Sequence, residues 1–244
     1  MSPPPPESSR QPSVVITGAS SGIGRAMAVA LAAKGFLCTL ISLQVEKLAG
    51  TARMLATSSR ILAVDFCDTA LTEQVAAQIS MMPRIDVLVH CAGVLSTGPV
   101  IEVSSAELAR VHAVNFLGPC RLTRAALPAL ERSRGQIVFM NSSAAVRPSP
   151  GLSSYASSKA ALAAYSSVLR DEVNTLGIRV VNVFPGRTAT PMQEAMFRAE
   201  GREYHPEQLL QPGDVAAIVM GALELPRTAE VTDIHIRPMK KSPA

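Results

Sequence analysis

The sequence predicts an α/β protein whose parallel sheet of seven strands is covered by helices on both faces. Three observations carry this. Short aliphatic, β-branched runs alternate with longer helical patterns along the whole chain. The strand runs are continuously apolar, as expected of strands buried on both faces. A glycine-rich turn joins the first strand to the first helix, and no linker breaks the alternation. Residues 13–244 are therefore expected to form one domain behind a Pro-rich tail, residues 1–12.

The elements follow in order. Val14-Val15-Ile16 is a β-branched run that ends in Thr17-Gly18-Ala19-Ser20-Ser21-Gly22-Ile23-Gly24. A helix over Ile23–Ala33 stops at Gly35, where a residue that tolerates positive φ ends helices well. Strand Leu37–Ser42, helix Val45–Leu55, strand Ile61–Asp65, helix Leu71–Ile79 and strand Asp86–His90 come next. A long helical pattern covers Ser105–Leu130. Pro119 within it lacks an amide donor and should distort the helix near Asn115. Strand Gln136–Met140, helix Ser154–Leu176 and strand Arg179–Phe184 follow. A polar stretch, residues 191–211, is expected to form a substrate lid before helix Gly213–Leu223 and strand Val231–Ile236.

Composition narrows the function. Of the 244 residues, 48% are hydrophobic and 17% charged, enough to bury a large core; Trp is absent, so Ala, Val, Leu, Ile and Met must build it. The net charge of +4 is spread out, with no basic run beyond Lys240-Lys241, which argues against nucleic acid as a partner. Cys38, Cys67, Cys91 and Cys120 show neither CxxC nor metal-ligand spacing, and three lie in or beside apolar runs. That usage suits a reducing, cytoplasmic location. The tail, with four consecutive prolines, lacks the apolar segment of a signal peptide. No apolar stretch reaches the roughly 20 residues of a membrane span.

Two stretches carry chemistry. Tyr155 and Lys159 stand four apart in a helical pattern, on one face. A phenol ordinarily titrates near pH ~10, and a nearby ammonium favours its ionised form, which would suit it to acid/base work near neutrality. Gly18, Gly22 and Gly24 permit a tight turn and close approach of a pyrophosphate. Around them Ser20, Ser21 and Ile23 lead into a helix N-terminus that favours phosphate.

Thr17-Gly18-xxx-Gly22-Ile23-Gly24, His90-Cys91-Ala92-Gly93, Asn115, Ser142, Tyr155-xxx-Lys159 and Pro185-Gly186 occur in one order over Val14–Pro238. In these motifs the chain resembles the short-chain dehydrogenases/reductases. The resemblance implies a Rossmann-type, doubly wound sheet of order 3-2-1-4-5-6-7 and a nicotinamide cofactor. It implies Ser142, Tyr155, Lys159 and Asn115 as catalytic residues, Lys159 also holding the nicotinamide ribose. Ser142 orients the reacting oxygen, with Ser143 its rival, and Asn115 holds a water that links the lysine to solvent. Cofactor contacts are implied for Asp65 at the adenine, and for Ala92 and Gly93 where the backbone passes beside the cofactor. Pro185, Gly186 and Thr188 would line the nicotinamide, and Thr190 would reach the pyrophosphate. The family's Asn-Asn-Ala-Gly reads His90-Cys91-Ala92-Gly93 here, so His90 must supply a strand-tying hydrogen bond or leave it unmade.

The end of the second strand distinguishes the cofactors, because an acid there binds the ribose hydroxyls and repels a 2′-phosphate. The sequence reads Ile41-Ser42-Leu43-Gln44, with Ser42 in the acid's place and Lys47 and Arg25 nearby. NADP(H) is favoured, with NAD(H) the alternative. The expected activity is hydride transfer between nicotinamide and a small carbonyl or secondary-alcohol substrate. Met192, Met196, Phe197, Tyr204, Val146 and Leu152 are expected to shape an apolar pocket, and Arg198 or Arg202 could meet an acidic group. A non-catalytic nicotinamide sensor and a non-redox epimerase or dehydratase are the competing functions. The resemblance implies a homodimer or homotetramer through the helices around Asn115 and Tyr155. Ala and Ser at 160, 161, 163, 164, 166 and 167 would permit that close contact.

Overall fold

The computed structural model describes residues 11–240, so the expected tail lies almost wholly outside the described residues. Seven parallel strands, β1 (Ser13–Thr17), β2 (Leu37–Ser42), β3 (Ser59–Ala63), β4 (Val87–His90), β5 (Gln136–Met140), β6 (Arg179–Pro185) and β7 (Asp233–Ile236), form one sheet. Its order is β3-β2-β1-β4-β5-β6-β7, as the sequence implied. The helices are α1 (Gly22–Ala33), α2 (Val45–Ala52), α3 (Thr69–Ser80), α4 (Ser105–His112), α5 (Gly118–Ser133), α6 (Ser153–Val173), α7 (Pro191–Ala199) and α8 (Pro212–Leu223).

The unbroken apolar strands divide by alternation. Val14 and Ile16 face one layer, with Met27 and Leu31 of α1 and Val215 and Val219 of α8. Val15 faces the other, with Val75 of α3, Leu122 of α5 and Leu162 of α6. Central strands β1, β4, β5 and β6 are buried almost throughout, so their residues meet a core whichever way they point, while edge strands β3 and β7 are partly exposed. At the bottom of the sheet, Arg179 and Gln136 donate to the Leu223 carbonyl at 3.2 and 3.0 Å, satisfying the C-terminal end of α8.

Three departures from the sequence-based expectation have local causes. Strand β3 runs over Ser59–Ala63, two residues earlier than expected, which leaves Asp65 in the following connection. The long helical pattern is two helices joined by a π-helical turn, Ala113–Leu117, immediately before Pro119. Pro119 cannot donate to the carbonyl four residues back, which is that of Asn115. The 191–211 stretch contains a true helix, α7, capped by the Thr190 hydroxyl on the Gln193 amide at 3.2 Å.

Gly118 closes the π-helical turn against Phe66: a Cβ there would stand 2.5 Å from the ring. Gly118→Ala should cost about 1–3 kcal/mol by overpacking. Gly213, whose Cβ position is open, should accept alanine at no cost. Urea unfolding of both variants measures the difference; equal stabilities would contradict the packing at Phe66.

Candidate active site

The sheet order reverses between β1 and β4, and the strand ends there open into a cleft. Its floor is tightly closed. The Gly18 amide donates to Ile41 O at 2.8 Å, and the Ala92 amide donates to the Thr17 hydroxyl at 3.2 Å. Gly18 has φ +68°, and a Cβ on it would lie 2.6 Å from the Ala92 nitrogen, so only glycine lets β1 end this close to β4.

The cleft, of roughly 650 Å³, runs from Ser42 and Asp65 past the glycine-rich turn to Ser142, Tyr155 and Lys159. At the first end the Ser42 hydroxyl donates to that of Ser20 at 3.0 Å. Leu43 and Gln44 continue the wall. Arg25 turns instead to Thr51, at 3.2 Å, and to the Ser20 carbonyl; neither Arg25 nor Lys47 lines the cleft. Asp65 lines it, but its carboxylate accepts from the Cys67 amide at 2.9 Å, so it serves the turn as well.

In the middle, Ser20, Ser21, Gly22, Ile23 and Gly24 present the start of α1, and no acidic side chain stands in its first turn. Thr190 lies over Gly22: a Cβ there would meet its methyl at 2.9 Å. Pro185 ends β6, Gly186 follows, and the Thr188 hydroxyl donates to Gly186 O at 3.0 Å, leaving its backbone toward the cleft wall.

At the far end the expected residues converge. A Cβ on Gly93 would lie 3.4 Å from Asn115 Oδ1 and 3.7 Å from Lys159 Nζ. Asn115 is buried on the π-helical turn. Its Oδ1 accepts from Val94 N at 2.8 Å, and its Nδ2 donates to Val94 O at 2.9 Å and to Ser158 Oγ at 3.0 Å. Lys159 Nζ donates to Met140 O at 2.8 Å and stands 6.0 Å from the centre of the Tyr155 ring. Burial lowers the Lys159 ammonium to about 8.

Tyr155 behaves differently from the sequence-based expectation. Burial raises its phenol above the ordinary value, and a hydrogen bond with Ser142 opposes the rise only in part. Lys159 is too far off, and too engaged with Met140, to reverse it. Burial thus keeps the phenol in its protonated form. Ser142 is buried, and its hydroxyl accepts from the Ala144 amide at 3.1 Å. Ser143 also lines the cleft but is exposed. Both lie beyond the end of β5, so strand alternation does not separate them; the hydrogen bond to Tyr155 does.

His90 bonds a helix rather than a strand. Its ring stacks on Phe139 with centroids 5.0 Å apart, and Nε2 meets Thr123 Oγ1 of α5 at 2.9 Å. Nδ1 has no partner among the described residues.

Of the expected pocket residues, Leu152, Met192 and Met196 line the cleft. Val146 is exposed outside it. Phe197 and Tyr204 pack on each other at 5.6 Å, and Phe197 also lies under Arg187 and Arg202. Arg198 pairs with Glu194 at 3.6 Å away from the cleft. Sequence reasoning missed Gln193, Arg147, Arg187 and Glu200, all in the cleft wall. The helical spacing of Gln193 and Met196, i and i+3, was the signal available for the lid.

The cradle fits a dinucleotide: its glycines leave no room for Cβ atoms where a backbone must pass, and a bare helix N-terminus faces its middle. Comparisons agree. The family model for short chain dehydrogenases matches residues 12–201, and the chain belongs to that family. It is an oxidoreductase of the short-chain type. An uncharacterised short-chain type dehydrogenase/reductase of Sinorhizobium fredii is 34% identical over 229 residues, 92% of this chain and 90% of the relative. An NAD-dependent oxidoreductase of Mycobacterium tuberculosis is 35% identical over 210 residues, 78% of this chain and 76% of the relative. The alcohol dehydrogenase of the archaeon Thermococcus sibiricus, solved with 5-hydroxy-NADP, superposes with a TM-score of 0.84 at 26% identity. That match covers 96% of this chain and all of that one. Among the described residues no helix is long and apolar enough to cross a membrane.

Burial lowers His90 from the ordinary 6.5 to about 3, with the Lys159 charge acting the same way. Between those values the unfolded chain binds a proton that the folded chain refuses, so stability rises with pH there. Stability should drain away as pH falls below about 6.5, by up to about 1.4 kcal/mol per pH unit more steeply than in His90→Asn. Chemical denaturation at stepped pH measures it; parallel profiles for the two proteins would contradict a buried neutral His90.

Proposed function

We propose that this chain is an NADP(H)-dependent carbonyl reductase or alcohol dehydrogenase in which Tyr155 is the general acid/base. The observation that carries this is the meeting of Ser142, Tyr155, Lys159 and Asn115 with Gly93 at one end of the cleft. The bound nicotinamide supplies hydride to the carbonyl carbon, or takes it from the alcohol. Ser142 donates a hydrogen bond to the carbonyl oxygen and fixes its place. Tyr155 gives its hydroxyl proton to that oxygen as the carbon is reduced, and in the reverse direction takes it back. A phenol held protonated by burial favours the reductive direction. The Lys159 ammonium stabilises the phenolate left behind and, by family resemblance, holds the nicotinamide ribose. Asn115 supports the path by which the proton is replaced from solvent. Gly18, Ser20, Ser21, Gly22, Ile23 and Gly24 hold the pyrophosphate with Thr190, and Asp65 meets the adenine.

The preference for NADP(H) rests on Ser42. A hydroxyl there lacks the charge that would repel a 2′-phosphate. The Thermococcus sibiricus relative was solved with an NADP derivative, which supports this; the Mycobacterium tuberculosis relative is named NAD-dependent, which keeps NAD(H) the alternative. Residues 191–211, with α7 at their start, act as the lid. The family resemblance supports a homodimer or homotetramer, and the cysteine usage a cytoplasmic location.

Two outcomes are expected. Tyr155→Phe should lower kcat by roughly 100- to 10,000-fold while cofactor Kd, read by fluorescence quenching, changes little. Near-full turnover would refute the assignment. Purified protein should bind NADPH more tightly than NADH; at least tenfold tighter NADH binding would reverse the cofactor preference.

A further inference from the structure

The charges of the cleft wall do not cancel at its substrate end. The wall holds three cationic side chains, Arg147, Lys159 and Arg187, and two carboxylates, Asp65 and Glu200. Asp65 is at the opposite end, on the Cys67 amide. Glu200 is fully engaged: both its oxygens accept from Arg187, at 2.8 and 3.0 Å, and the same guanidinium stacks on Phe197 at 4.8 Å. Lys159 is bonded to Met140 and belongs to the Tyr155 site. That leaves Arg147, a solvent-exposed side chain on the cleft wall with neither hydrogen-bond acceptor nor ion-pair partner among the described residues, its charge uncommitted.

Arg147 is well placed. It lies five residues after Ser142, and its backbone amide donates to Ser143 O at 2.9 Å, which fixes its origin on the turn that carries the serine. Its loop is tied to the facing loop by the bond from Gly98 N to Gly151 O, at 2.9 Å. The same cleft wall carries the apolar side chains Val94, Leu95, Leu152, Met192 and Met196. Gln193, on α7 in the same wall, adds a buried Nε2 that lacks an acceptor among the described residues. A buried donor left without a partner is costly, and a guanidinium presents a planar fork of donors that matches an oxyanion. The wall thus combines apolar side chains with uncommitted donors, and its carboxylate Glu200 is already neutralised by Arg187.

We propose that the substrate is a carbonyl compound with an apolar body that ends in an oxyanion, carboxylate or phosphate, and that Arg147 anchors that group. The inference deepens the reductase assignment and rests on it. Arg147 stands apart from the reacting atoms, so its contribution is uniform binding, seen in KM rather than kcat.

The test is a ladder of aliphatic oxo acids of increasing length, each beside its own methyl ester, with phosphate-bearing ketones as a second arm. The wild type should favour an anionic member over its neutral counterpart by about tenfold in kcat/KM, through KM. Which arm shows the larger advantage tells carboxylate from phosphate. The ratio should fall toward one in Arg147→Gln, invert in Arg147→Glu, and shrink with added salt. Titration calorimetry of the best oxo acid into NADPH-loaded Tyr155→Phe protein, with and without Arg147→Gln, gives the same comparison without turnover. Turnover of acids and esters alike, or a preference that survives Arg147→Gln, overturns the anion site and leaves the reductase assignment standing. Turnover of no member, with no binding by calorimetry, overturns both.

Discussion

The buried ammonium of Lys159 is the constraint on which the site depends. Among the described residues its hydrogen bond is to the Met140 carbonyl at 2.8 Å, at the end of β5. Taking a charge from water is expensive unless it is paired, and among the described residues no carboxylate pairs with it. The group responds by becoming a weaker base than an ordinary lysine. Such an arrangement stabilises nothing by itself. It is retained where an incoming negative charge, such as a phenolate or a phosphorylated cofactor, repays the desolvation.

The fold makes that arrangement reachable. Parallel strands put their C-terminal ends on one edge, and the order reversal between β1 and β4 opens that edge. Glycines let the edge close to within van der Waals contact at Gly18 while leaving Gly93 clear beside Asn115 and Lys159. The π-helical turn Ala113–Leu117 rotates Asn115 inward, where its amide locks the Val94 backbone by two hydrogen bonds. The positions of Ser142, on a turn after β5, and of Tyr155, in the first turn of α6, follow from the same sheet.

Much of this was legible in the sequence, for identifiable reasons. Continuous apolar runs fixed the sheet as doubly covered, and the strand-turn-helix placement of Gly18, Gly22 and Gly24 located the cleft. Pro119 announced the irregular helix. What the sequence left hidden depends on side-chain partners. The i, i+4 spacing put Tyr155 and Lys159 on one face but could not show that Met140 draws the ammonium away, or that burial keeps the phenol protonated. Arg25 and Arg202 look like free cations until Ser20 and Phe197 are seen beneath them. Phe197 and Tyr204 look like pocket aromatics, yet they pack on each other and neither lines the cleft. Arg147 carried no periodic or motif signal at all.

The most direct measurement is NMR titration of protein labelled with carbon-13 at the lysine Cε, because the chain has only five lysines, at 34, 47, 159, 240 and 241. The resonance missing from Lys159→Arg identifies the group. The account requires that resonance to titrate near pH 8. Titration at the ordinary lysine value of 10.5 would mean that the ammonium is solvated, and the site described here would not exist in solution.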